Sequence, residues 1–309
     1  MINKNSKILV AGSKGMVGSA VIRKLIQDGY KNVIGISRSQ TDFLNQDDVK
    51  HLLTIEKPDS IIITAARVGG INANNNFRAQ FIYENLTISS NLIHSAHIAD
   101  IQNIIYLGSS CIYPKECMQP IKEEYLLNGP LEKTNEPYAI AKIASLKLCE
   151  SYNFQYKRNY TTVMPTNLYG PNDNYDLNTS HVFPALLKKV LIAKKNNHKN
   201  IEIWGTGKPL REFLHVDDLA DAILFLMETQ IKPDILNIGS GEELTIEDLA
   251  RKMLSVAGLN IDIKYNREMP DGVLRKRLDL TKINTLGWKS NISIDKGIKL
   301  TLKEIESNL

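Results

Sequence analysis

The sequence predicts an α/β protein in which a doubly wound parallel sheet is followed by a smaller C-terminal α/β domain. Its 309 residues suffice for two domains at roughly 150 residues each. Short β-branched runs alternate with amphipathic segments through the first half of the chain. A glycine-rich turn joins the first such run to the first amphipathic segment. Together these three observations indicate repeated βαβ units, whose strands form a parallel sheet with helices on both faces.

Strands and helices of the first half are predicted in turn along the chain. Short apolar and β-branched runs predict buried strands at residues 7–11, 33–37, 60–65, 104–107 and 161–164. Apolar residues at helical spacing predict the intervening helices at residues 16–27, 46–55, 77–98 and 138–156. The polar stretch at residues 72–76 is predicted to be a loop. Right-handed crossovers then place the helices in layers on the two faces of the sheet.

The pattern loosens after about residue 165 into loops rich in asparagine, glycine and proline. Helices are predicted there at residues 182–195, 217–228 and 245–257, and short strands at residues 201–204 and 261–265. We therefore predict a first domain over residues 1–165, to which a helix near residues 217–228 returns, and a second domain over residues 166–309.

Composition and charge exclude several classes of protein. Apolar residues make up 43% and charged residues 23%, as in ordinary soluble domains. Thirty-eight basic against thirty-four acidic residues leave a net charge of +4, without the concentrated basic patch that a nucleic-acid partner requires. The longest apolar run, residues 61–66, is too short to span a membrane, and the polar N-terminus lacks the stages of a signal peptide.

The cysteines bear on the compartment and on metal binding. There are three, Cys111, Cys117 and Cys149, an odd number at spacings that match no zinc site. We therefore expect a reduced, cytoplasmic chain with no metal site, no nucleic-acid partner and no membrane partner.

The first predicted strand ends in a glycine-rich turn that opens the first helix. Its glycines recur at every third position, at Gly12, Gly15 and Gly18. The first allows the tight turn, the second lets a pyrophosphate approach backbone N–H groups, and the third lets helix and strand pack closely. This context is typical of a Rossmann-type dinucleotide site, whose loop is formed here by Gly12, Ser13, Lys14, Gly15, Met16, Val17 and Gly18.

The residue after the second strand indicates which dinucleotide binds. An acidic side chain there accepts a hydrogen bond from the ribose 2′-hydroxyl of NADH, whereas an arginine accommodates the 2′-phosphate of NADPH. Here the residue is Arg38, and Lys14 in the glycine turn adds a second cation. The sequence therefore favours NADPH over NADH. The alternative is that Arg38 is a solvated surface side chain that binds nothing.

A tyrosine and a lysine in the first half are spaced for acid–base chemistry. Tyr138 and Lys142 are four residues apart after Pro137, which suits a helix start, so both side chains face one side of a helix. A nearby ammonium is expected to lower the pKa of the phenol and to hold the ribose of a nicotinamide nucleotide. Ser109 follows the strand at residues 104–107, at the sheet edge where such folds bind ligands. A Ser–Tyr–Lys set polarises a carbonyl group and protonates its oxygen as hydride arrives.

The glycine turn, Ser109, Tyr138 and Lys142 resemble the extended short-chain dehydrogenase/reductase superfamily. Within it, segments spread over nearly the whole chain resemble the family of GDP-L-fucose synthases, which are bifunctional 3,5-epimerases and 4-reductases. These segments are AARVGGI at 65–71, GSSCIYP at 108–114, NEPYAIAK at 135–142, PTNLYGP at 165–171, SHV at 180–182 and REFLHVDD at 211–218. The resemblance implies NADPH as the cofactor, an NADP-binding domain over residues 1–165 and a nucleotide-sugar domain over residues 166–309.

The resemblance implies a two-part reaction on GDP-4-keto-6-deoxy-mannose: inversion at the two ring carbons that flank the ketone, then hydride reduction of the ketone. Inversion needs a base and an acid on opposite faces of the ring, and the resemblance assigns these roles to Cys111 and His181. The thiol then needs a cationic neighbour, for which Lys142 or a charged His181 is the candidate. Taken alone, Cys111 is more typical of an inert buried thiol and His181 of a residue at a helix start.

The binding residues follow from the same resemblance. For NADPH they are the glycine turn together with Arg38, Leu107, Gly108, Ser109, Ser110, Lys142, Pro165, Asn167, Leu168 and His181. For the GDP-sugar they are Lys189, Trp204, Arg211 and Asp271. Arg211 and Lys189 suit phosphate oxygens and Trp204 suits stacking on a ring, whereas Asp271 also fits an ordinary turn. The cations Arg275, Lys276 and Arg277 are predicted to be a solvated charge run, and the alternative is that they extend the anionic pocket.

Other functions remain open beside this hypothesis. A GDP-4-keto-heptose reductase acts at carbon 4 without epimerisation, even though it keeps the same side chains. A 4-epimerase or dehydratase of the same superfamily holds NAD tightly and returns the hydride, which Arg38 argues against. A non-catalytic NADPH sensor would not need Tyr138 and Lys142. The resemblance also implies a homodimer formed through the helices predicted at residues 77–98 and 138–156.

Overall fold

We describe the fold from a computed structural model, which covers residues 2–177, 179–229, 233–269 and 271–307. The strands of these residues are β1 (Lys7–Ala11), β2 (Asn32–Ile36), β3 (Ser60–Ile63), β4 (Asn103–Leu107), β5 (Asn159–Pro165), β6 (Asn167–Tyr169), β7 (Asn200–Trp204), β8 (Leu210–His215), β9 (Ile235–Ile238), β10 (Glu243–Thr245), β11 (Asp262–Asn266) and β12 (Arg275–Lys276). The helices are α1 (Met16–Gln27), α2 (Gln46–Glu56), α3 (Ile71–Asn76), α4 (Arg78–Ile98), α5 (Glu136–Tyr156), α6 (Val182–Asn196), α7 (Val216–Glu228), α8 (Ile246–Val256), α9 (Thr281–Leu286) and α10 (Ile294–Ser307).

The main sheet is parallel throughout, in the order β2-β1-β3-β4-β5-β9. Side chains of β1 alternate between its two faces, because successive residues of a strand point in opposite directions. Ile8 and Val10 pack with α1 and α7, whereas Leu9 and Ala11 pack with α2 and α4. Helices therefore cover both faces, and the predicted doubly wound parallel sheet is confirmed.

A second group of strands and helices follows β5 in the chain, and we call it the second layer. Strand β8 pairs with β6, β10 and β12, while β7 pairs with β11. Helices α6, α8 and α10 share a separate apolar core, which includes Leu187, Leu249 and Ile298, each 0% exposed. The chain returns to the first layer in α7, which packs on α1, and in β9, which completes the main sheet. The division at residue 165 stays a prediction.

The prediction of a loop at residues 72–76 is wrong, because α3 occupies this stretch. Its asparagines are not merely solvated: the side-chain amide of Asn74 donates to the carbonyls of Gly69 and Gly70, and Ala73 is buried. Local hydrogen bonds from asparagine thus support a short helix that the polar composition alone does not reveal.

The part of the chain that the structure describes has neither a membrane-spanning helix nor a cluster of metal ligands. None of its helices has the length and apolarity to cross a membrane. Within the same residues, no cluster of three or more His, Cys, Asp or Glu side chains is placed to hold a metal ion.

Candidate active site

The glycine turn lies at the carboxyl end of β1. Gly12 has φ +94°, and a Cβ there would lie 2.6 Å from the backbone nitrogen of Ala65. A Cβ on Gly18 would overlap the carbonyl oxygen of Gly12. A Cβ on Gly15, in contrast, would meet only the Gly12 carbonyl oxygen, at 3.4 Å. Two glycines therefore allow close backbone packing, while the third leaves space on the outer side of the turn.

The same turn has the features of a dinucleotide site. Helix α1 starts directly after Gly15, whose lack of a side chain leaves the first-turn N–H groups to an external acceptor. Lys14 is exposed beside them. Arg38 is also exposed, two residues after β2, whose last residue Ile36 is in register with Ala11. The turn and these two cations therefore fit the pyrophosphate and 2′-phosphate of NADPH, although the role of Arg38 stays a prediction.

The segment after β4 brings a serine and a cysteine together. The backbone N–H of Gly108 donates to the carbonyl of Val163 at 2.9 Å, which fixes the chain as it leaves the sheet. The hydroxyl of Ser109 then accepts a hydrogen bond from the N–H of Cys111 at 3.2 Å and caps a 3₁₀ turn. Ser109 and Cys111 are both half-buried, so a hydroxyl lies beside a thiol. We call the region of Ser109, Cys111, Tyr138 and Lys142 the cleft.

Lys142 is buried inside the protein next to this segment. Its Nζ donates to the carbonyl of Leu107 at 2.7 Å and lies 5.8 Å from the ring centroid of Tyr138. The residue is 2% exposed, and this burial lowers the pKa of its ammonium to about 7. The predicted helix face shared by Tyr138 and Lys142 is therefore present in α5.

The expectation that Lys142 lowers the pKa of Tyr138 is wrong for this structure. Burial and the nearby Cys111 raise the pKa of the phenol well above its ordinary value, against a hydrogen bond with Ser109 that lowers it. The physical reason is that burial penalises the charged form of both groups, so each tends to stay neutral. Tyr138 therefore carries its proton at neutral pH, as a group that donates to a carbonyl oxygen must.

The cation beside Cys111 comes from an unexpected part of the chain. Lys276 on β12 points its Nζ at Sγ of Cys111, at 3.5 Å. Burial raises the pKa of the thiol, but Lys276, Ser109 and Arg211 together outweigh it, and the pKa of Cys111 is lowered. The candidates predicted for this role, Lys142 and His181, are not among its causes.

The prediction for residues 275–277 is thus wrong at one position. Lys276 is half-buried at the cleft, whereas Arg275 on its exposed side pairs with Glu243 at 2.6 Å. The sequence named Lys276 only as one of three cations that could extend the pocket, and its contact with Cys111 was not predicted, because three consecutive cations carry no signal that tells one from the next. Its neighbour in the opposing strand, Arg211, is in register with it.

His181 lies at the start of α6, in extended conformation. The turn before it is attached to the loop after β3, because Gly70 donates its N–H to the carbonyl of Thr179 at 2.9 Å. His181 is an exposed residue, but nearby protein atoms and the charge of Lys276 lower the pKa of its ring, which favours the neutral imidazole. The charge of Lys276 thus acts on His181, while its Nζ contacts the sulfur of Cys111.

The remaining residues predicted for the cofactor lie at the carboxyl edge of the same sheet. Pro165 ends β5 and pairs with Ile238, and the side-chain amide of Asn167 donates to the carbonyl of Glu212 at 2.8 Å. Leu168 packs against the core shared with α1 and α7. Ser110 is buried in the 3₁₀ turn. The structure thus places these residues at or just after the carboxyl ends of β4 and β5, while their contacts with a cofactor stay predictions.

The four residues predicted for the substrate lie in the second layer: Lys189 on α6, Trp204 on β7, Arg211 on β8 and Asp271 before β12. Arg211 is in register with Lys276, and the charges of Cys111 and Asp271 both act on its guanidinium. The carboxylate of Asp271 accepts from the backbone N–H of Thr206 at 2.6 Å and from its hydroxyl at 2.9 Å. Asp271 therefore holds the loop after β7, beyond the simple turn that its sequence context also allowed.

A cation and an aromatic ring lie side by side at the end of β7. Lys189 donates to the carbonyl of Glu202 at 2.8 Å, and its Nζ lies 5.9 Å from the ring centroid of Trp204. Trp204 is 40% exposed, although large aromatic residues are usually well covered. An exposed indole beside a fixed ammonium suits a ring that carries phosphate groups.

Comparisons with known proteins agree with this architecture. The model of the NAD dependent epimerase/dehydratase family matches residues 8–239. GDP-L-fucose synthase 1 of Arabidopsis thaliana is 47% identical over 301 residues, which cover 97% of this chain and 93% of that protein. GDP-L-fucose synthase of Escherichia coli (strain K12) is 46% identical over 304 residues, 96% of this chain and 95% of that protein.

A solved structure extends the comparison to the fold. The GDP-mannoheptose C4 reductase from Campylobacter jejuni with NADP bound has a TM-score of 0.90 and 35% identity, and the match covers 99% of this chain and 100% of that chain. The chain therefore belongs to the NAD dependent epimerase/dehydratase family. Within that family its relatives place it with the GDP-L-fucose synthases.

Proposed function

We propose that the protein is an NADPH-dependent epimerase and reductase that converts GDP-4-keto-6-deoxy-mannose to GDP-L-fucose. One observation carries the proposal: the Nζ of Lys276 contacts Sγ of Cys111 at 3.5 Å, in the same site as the half-buried Tyr138 and the buried Lys142. A reductase alone needs a proton donor for the carbonyl oxygen, whereas the added thiol and imidazole are two further acid–base groups. The identities of 46% and 47% to GDP-L-fucose synthases over nearly the full chain agree with this function.

The epimerisation relies on the acidity that a ketone gives to its two flanking carbons. One of Cys111 and His181 removes a proton from such a carbon, and the other returns a proton to the opposite face. For the exchange to balance, Cys111 and His181 together hold one proton when the inversion begins: the unprotonated group takes the proton from carbon, and the protonated group gives its own to the opposite face. The lowered pKa of Cys111 favours the thiolate as the base, so His181 takes up a proton from solvent before it acts as the acid. Tyr138, protonated because of its burial, donates a hydrogen bond to the enolate oxygen and so stabilises the negative charge.

Reduction uses the same phenol. NADPH supplies the hydride when it is bound at the glycine turn. Tyr138 gives its proton to the carbonyl oxygen, and the Ser109 hydroxyl orients that oxygen. Lys142, fixed by the Leu107 carbonyl, lies behind the ring and supports the charge that develops on the phenolate. The pKa of about 7 for Lys142 allows it to exchange a proton at neutral pH.

We propose that the rest of the substrate is bound by Lys189, Trp204, Arg211 and Asp271. Arg211 and Lys189 face the diphosphate oxygens, since guanidinium and ammonium groups bind phosphate strongly. Trp204 stacks on the guanine or ribose. Asp271 acts by holding the loop that carries Trp204 and Thr206. These assignments are supported by the position of Arg211, which is in register with Lys276, the residue that contacts Cys111.

The test is turnover of GDP-4-keto-6-deoxy-mannose with NADPH in deuterated water, followed by NMR of the product. We expect NADPH oxidation, an inverted configuration and deuterium at both flanking carbons. The Cys111→Ser variant should lose deuterium incorporation, and the matched Cys117→Ser variant should not. Tyr138→Phe should slow reduction by about 10²-fold or more. Absence of NADPH oxidation with this substrate contradicts the proposal.

A second candidate is a GDP-4-keto-heptose reductase that acts only at carbon 4. It is favoured by the likeness to the Campylobacter jejuni GDP-mannoheptose C4 reductase, at a TM-score of 0.90. The same assay separates the two functions. NADPH oxidation with the heptose and no deuterium at the flanking carbons supports this second candidate, while double labelling of the deoxyhexose supports the first.

We also propose that the chain works as a homodimer in the cytoplasm. Large apolar side chains are exposed on α4 and α5, among them Tyr83 at 64% and Phe154 at 83%, as a helix-to-helix interface between two copies requires. Cys111 acts only as a free thiol, which a reducing compartment preserves. Light scattering should give twice the chain mass, and a monomer at every concentration contradicts the dimer.

A further inference from the structure

Lys276 has no carboxylate partner within ion-pair distance among the described residues, unlike the cations on either side of it. Arg275 and Arg277 both approach Glu243, at 2.6 and 3.8 Å. The Nζ of Lys276 instead contacts Sγ of Cys111 at 3.5 Å. A half-buried ammonium without a carboxylate is stabilised by an anion, and the thiolate form of Cys111 supplies one in contact with it.

Polar and titratable groups of neighbouring elements also interact with Cys111. The hydroxyl of Ser109 accepts from its N–H, while Arg211 on β8 and Tyr138 on α5 interact with it electrostatically. Tyr138 is neutral, and Arg211 uses one N–H of its guanidinium on the carbonyl of Leu210. Lys276 is the cation in contact with the sulfur, so its position decides the charge state of the thiol.

The strand that carries Lys276 is only two residues long, so its position depends on contacts at both edges. On one edge β12 pairs with β8, with Lys276 in register with Arg211. On the other edge, the carbonyl of Arg277 accepts from the N–H of Ile121 at 2.8 Å. The N–H of Arg277 donates to the side chain of Gln119, also at 2.8 Å.

A buried carboxylate fixes the chain just beyond this strand. Glu212 on β8 is 0% exposed, and its two oxygens accept from the N–H groups of Leu278 at 3.0 Å and Gly241 at 2.8 Å. Leu278 is two residues after Lys276. Burying a carboxylate is costly unless it is hydrogen-bonded, so these N–H groups and Glu212 stabilise one another. A glutamine at this position would turn an NH₂ group toward an N–H donor and break one of the two contacts.

We propose that Lys276 pairs with the thiolate of Cys111, and that Glu212 is the positioning residue that keeps Lys276 against the sulfur. The thiol proton leaves to solvent, and the ammonium–thiolate pair remains. The catalytic meaning of this pair depends on the proposed epimerase function, because only epimerisation uses Cys111. The pair itself exists without substrate and is measurable on the free protein.

The experiment measures the rate of iodoacetamide labelling of Cys111 against pH. Trypsin cuts after Lys115, so Cys111 and Cys117 fall in different peptides and are quantified separately by mass spectrometry. Cys117 is an internal comparison: burial raises the pKa of its thiol, and the charge of Lys276 lowers it by less than burial raises it. In the wild-type protein we expect Cys111 to reach half-maximal labelling at a lower pH than Cys117.

The Lys276→Met variant removes the charge and keeps much of the side-chain length. We expect its labelling of Cys111 near pH 7 to fall about tenfold, with the midpoint moving toward the ordinary thiol value of about 8.5. Lys276→Arg should restore most of the rate, and the neighbouring Arg275→Met should leave it unchanged. An unchanged Cys111 profile in Lys276→Met overturns the proposal.

Glu212→Gln tests the positioning role. We expect the Cys111 midpoint to rise as in Lys276→Met, with circular dichroism showing a folded protein and with a larger shift at Cys111, which Lys276 contacts, than at Cys117. A folded Glu212→Gln protein with the wild-type profile overturns the role of Glu212. Where this variant does not fold, Gln119→Ala loosens the other edge of β12 and should move the midpoint in the same direction, and a wild-type profile there overturns the positioning argument. If labelling of Cys111 depends on Lys276 but the protein does not turn over the GDP-sugar, the proposed function is wrong and this inference stands.

Discussion

Gly70 and Thr179 join the two layers of the protein next to His181. The backbone N–H of Gly70, at the end of the loop after β3, donates to the carbonyl of Thr179 at 2.9 Å. A Cβ on Gly70 would lie 2.5 Å from the carbonyl oxygen of Ser180, a backbone atom that cannot turn aside. The absence of a side chain at Gly70 therefore sets how close the turn that carries His181 approaches the main sheet.

Gly70→Ala is expected to displace the turn at residues 179–180 and with it His181. Misplacing a reacting group by about 1 Å costs up to about 10²-fold in rate, so deuterium incorporation at the carbons flanking the ketone should fall about 10- to 100-fold. Reduction at carbon 4 should fall less. The measurement is NMR of products formed in deuterated water. Asn75→Ala, an exposed change on the same short helix, is the control, and equal losses in both variants contradict the role of Gly70.

Lys142 is expected to make stability depend on pH. Its pKa is lowered from 10.5 to about 7, so between pH 7 and 10 the unfolded chain holds a proton that the folded chain has released. The free energy of unfolding therefore rises with pH in this window, by up to about 1.4 kcal/mol per unit from this residue, and the contribution is smallest below pH 7. Lys142→Met removes this dependence.

Urea unfolding at pH 7 and 9.5, without cofactor or substrate, measures this effect. The stability of Lys142→Met relative to wild type should be highest at pH 7 and decline toward pH 9.5, because other titrating groups cancel in the difference. Lys147→Met is the control on the same helix, since Lys147 is exposed and pairs with Glu150. Parallel pH curves for wild type and Lys142→Met would show that burial does not shift the lysine.

Arg38 is expected to select the phosphorylated cofactor. A hydrogen bond to a charged group contributes about 1.5–3 kcal/mol, so Arg38→Ala should raise the KM for NADPH about 10- to 100-fold and change the KM for NADH about twofold or less. Steady-state kinetics with both cofactors measure this. Lys31→Ala, another exposed cation of the same region, should change neither value. An equal rise for the two cofactors would mean that Arg38 does not contact the 2′-phosphate.

Much of this site was predictable because its residues follow strands directly. The glycine turn and Ser109 come just after β1 and β4, and parallel strands place their carboxyl ends at one edge. Tyr138 and Lys142 share a helix face because of their spacing of four. The helix α3 was not predictable, because the amide of Asn74 bonds to carbonyls that only this fold presents.

By itself, the sequence determined the parallel sheet, the dinucleotide turn and the Tyr–Lys face, since each depends on periodicity or on neighbours a few residues away. Only the tertiary structure decided which cation meets Cys111. Lys276 is 165 residues from Cys111 in sequence, and its contact depends on how β12 pairs with β8 and on the buried Glu212 beside it. It also decided that Tyr138 stays protonated, because burial depends on every segment that packs around the phenol.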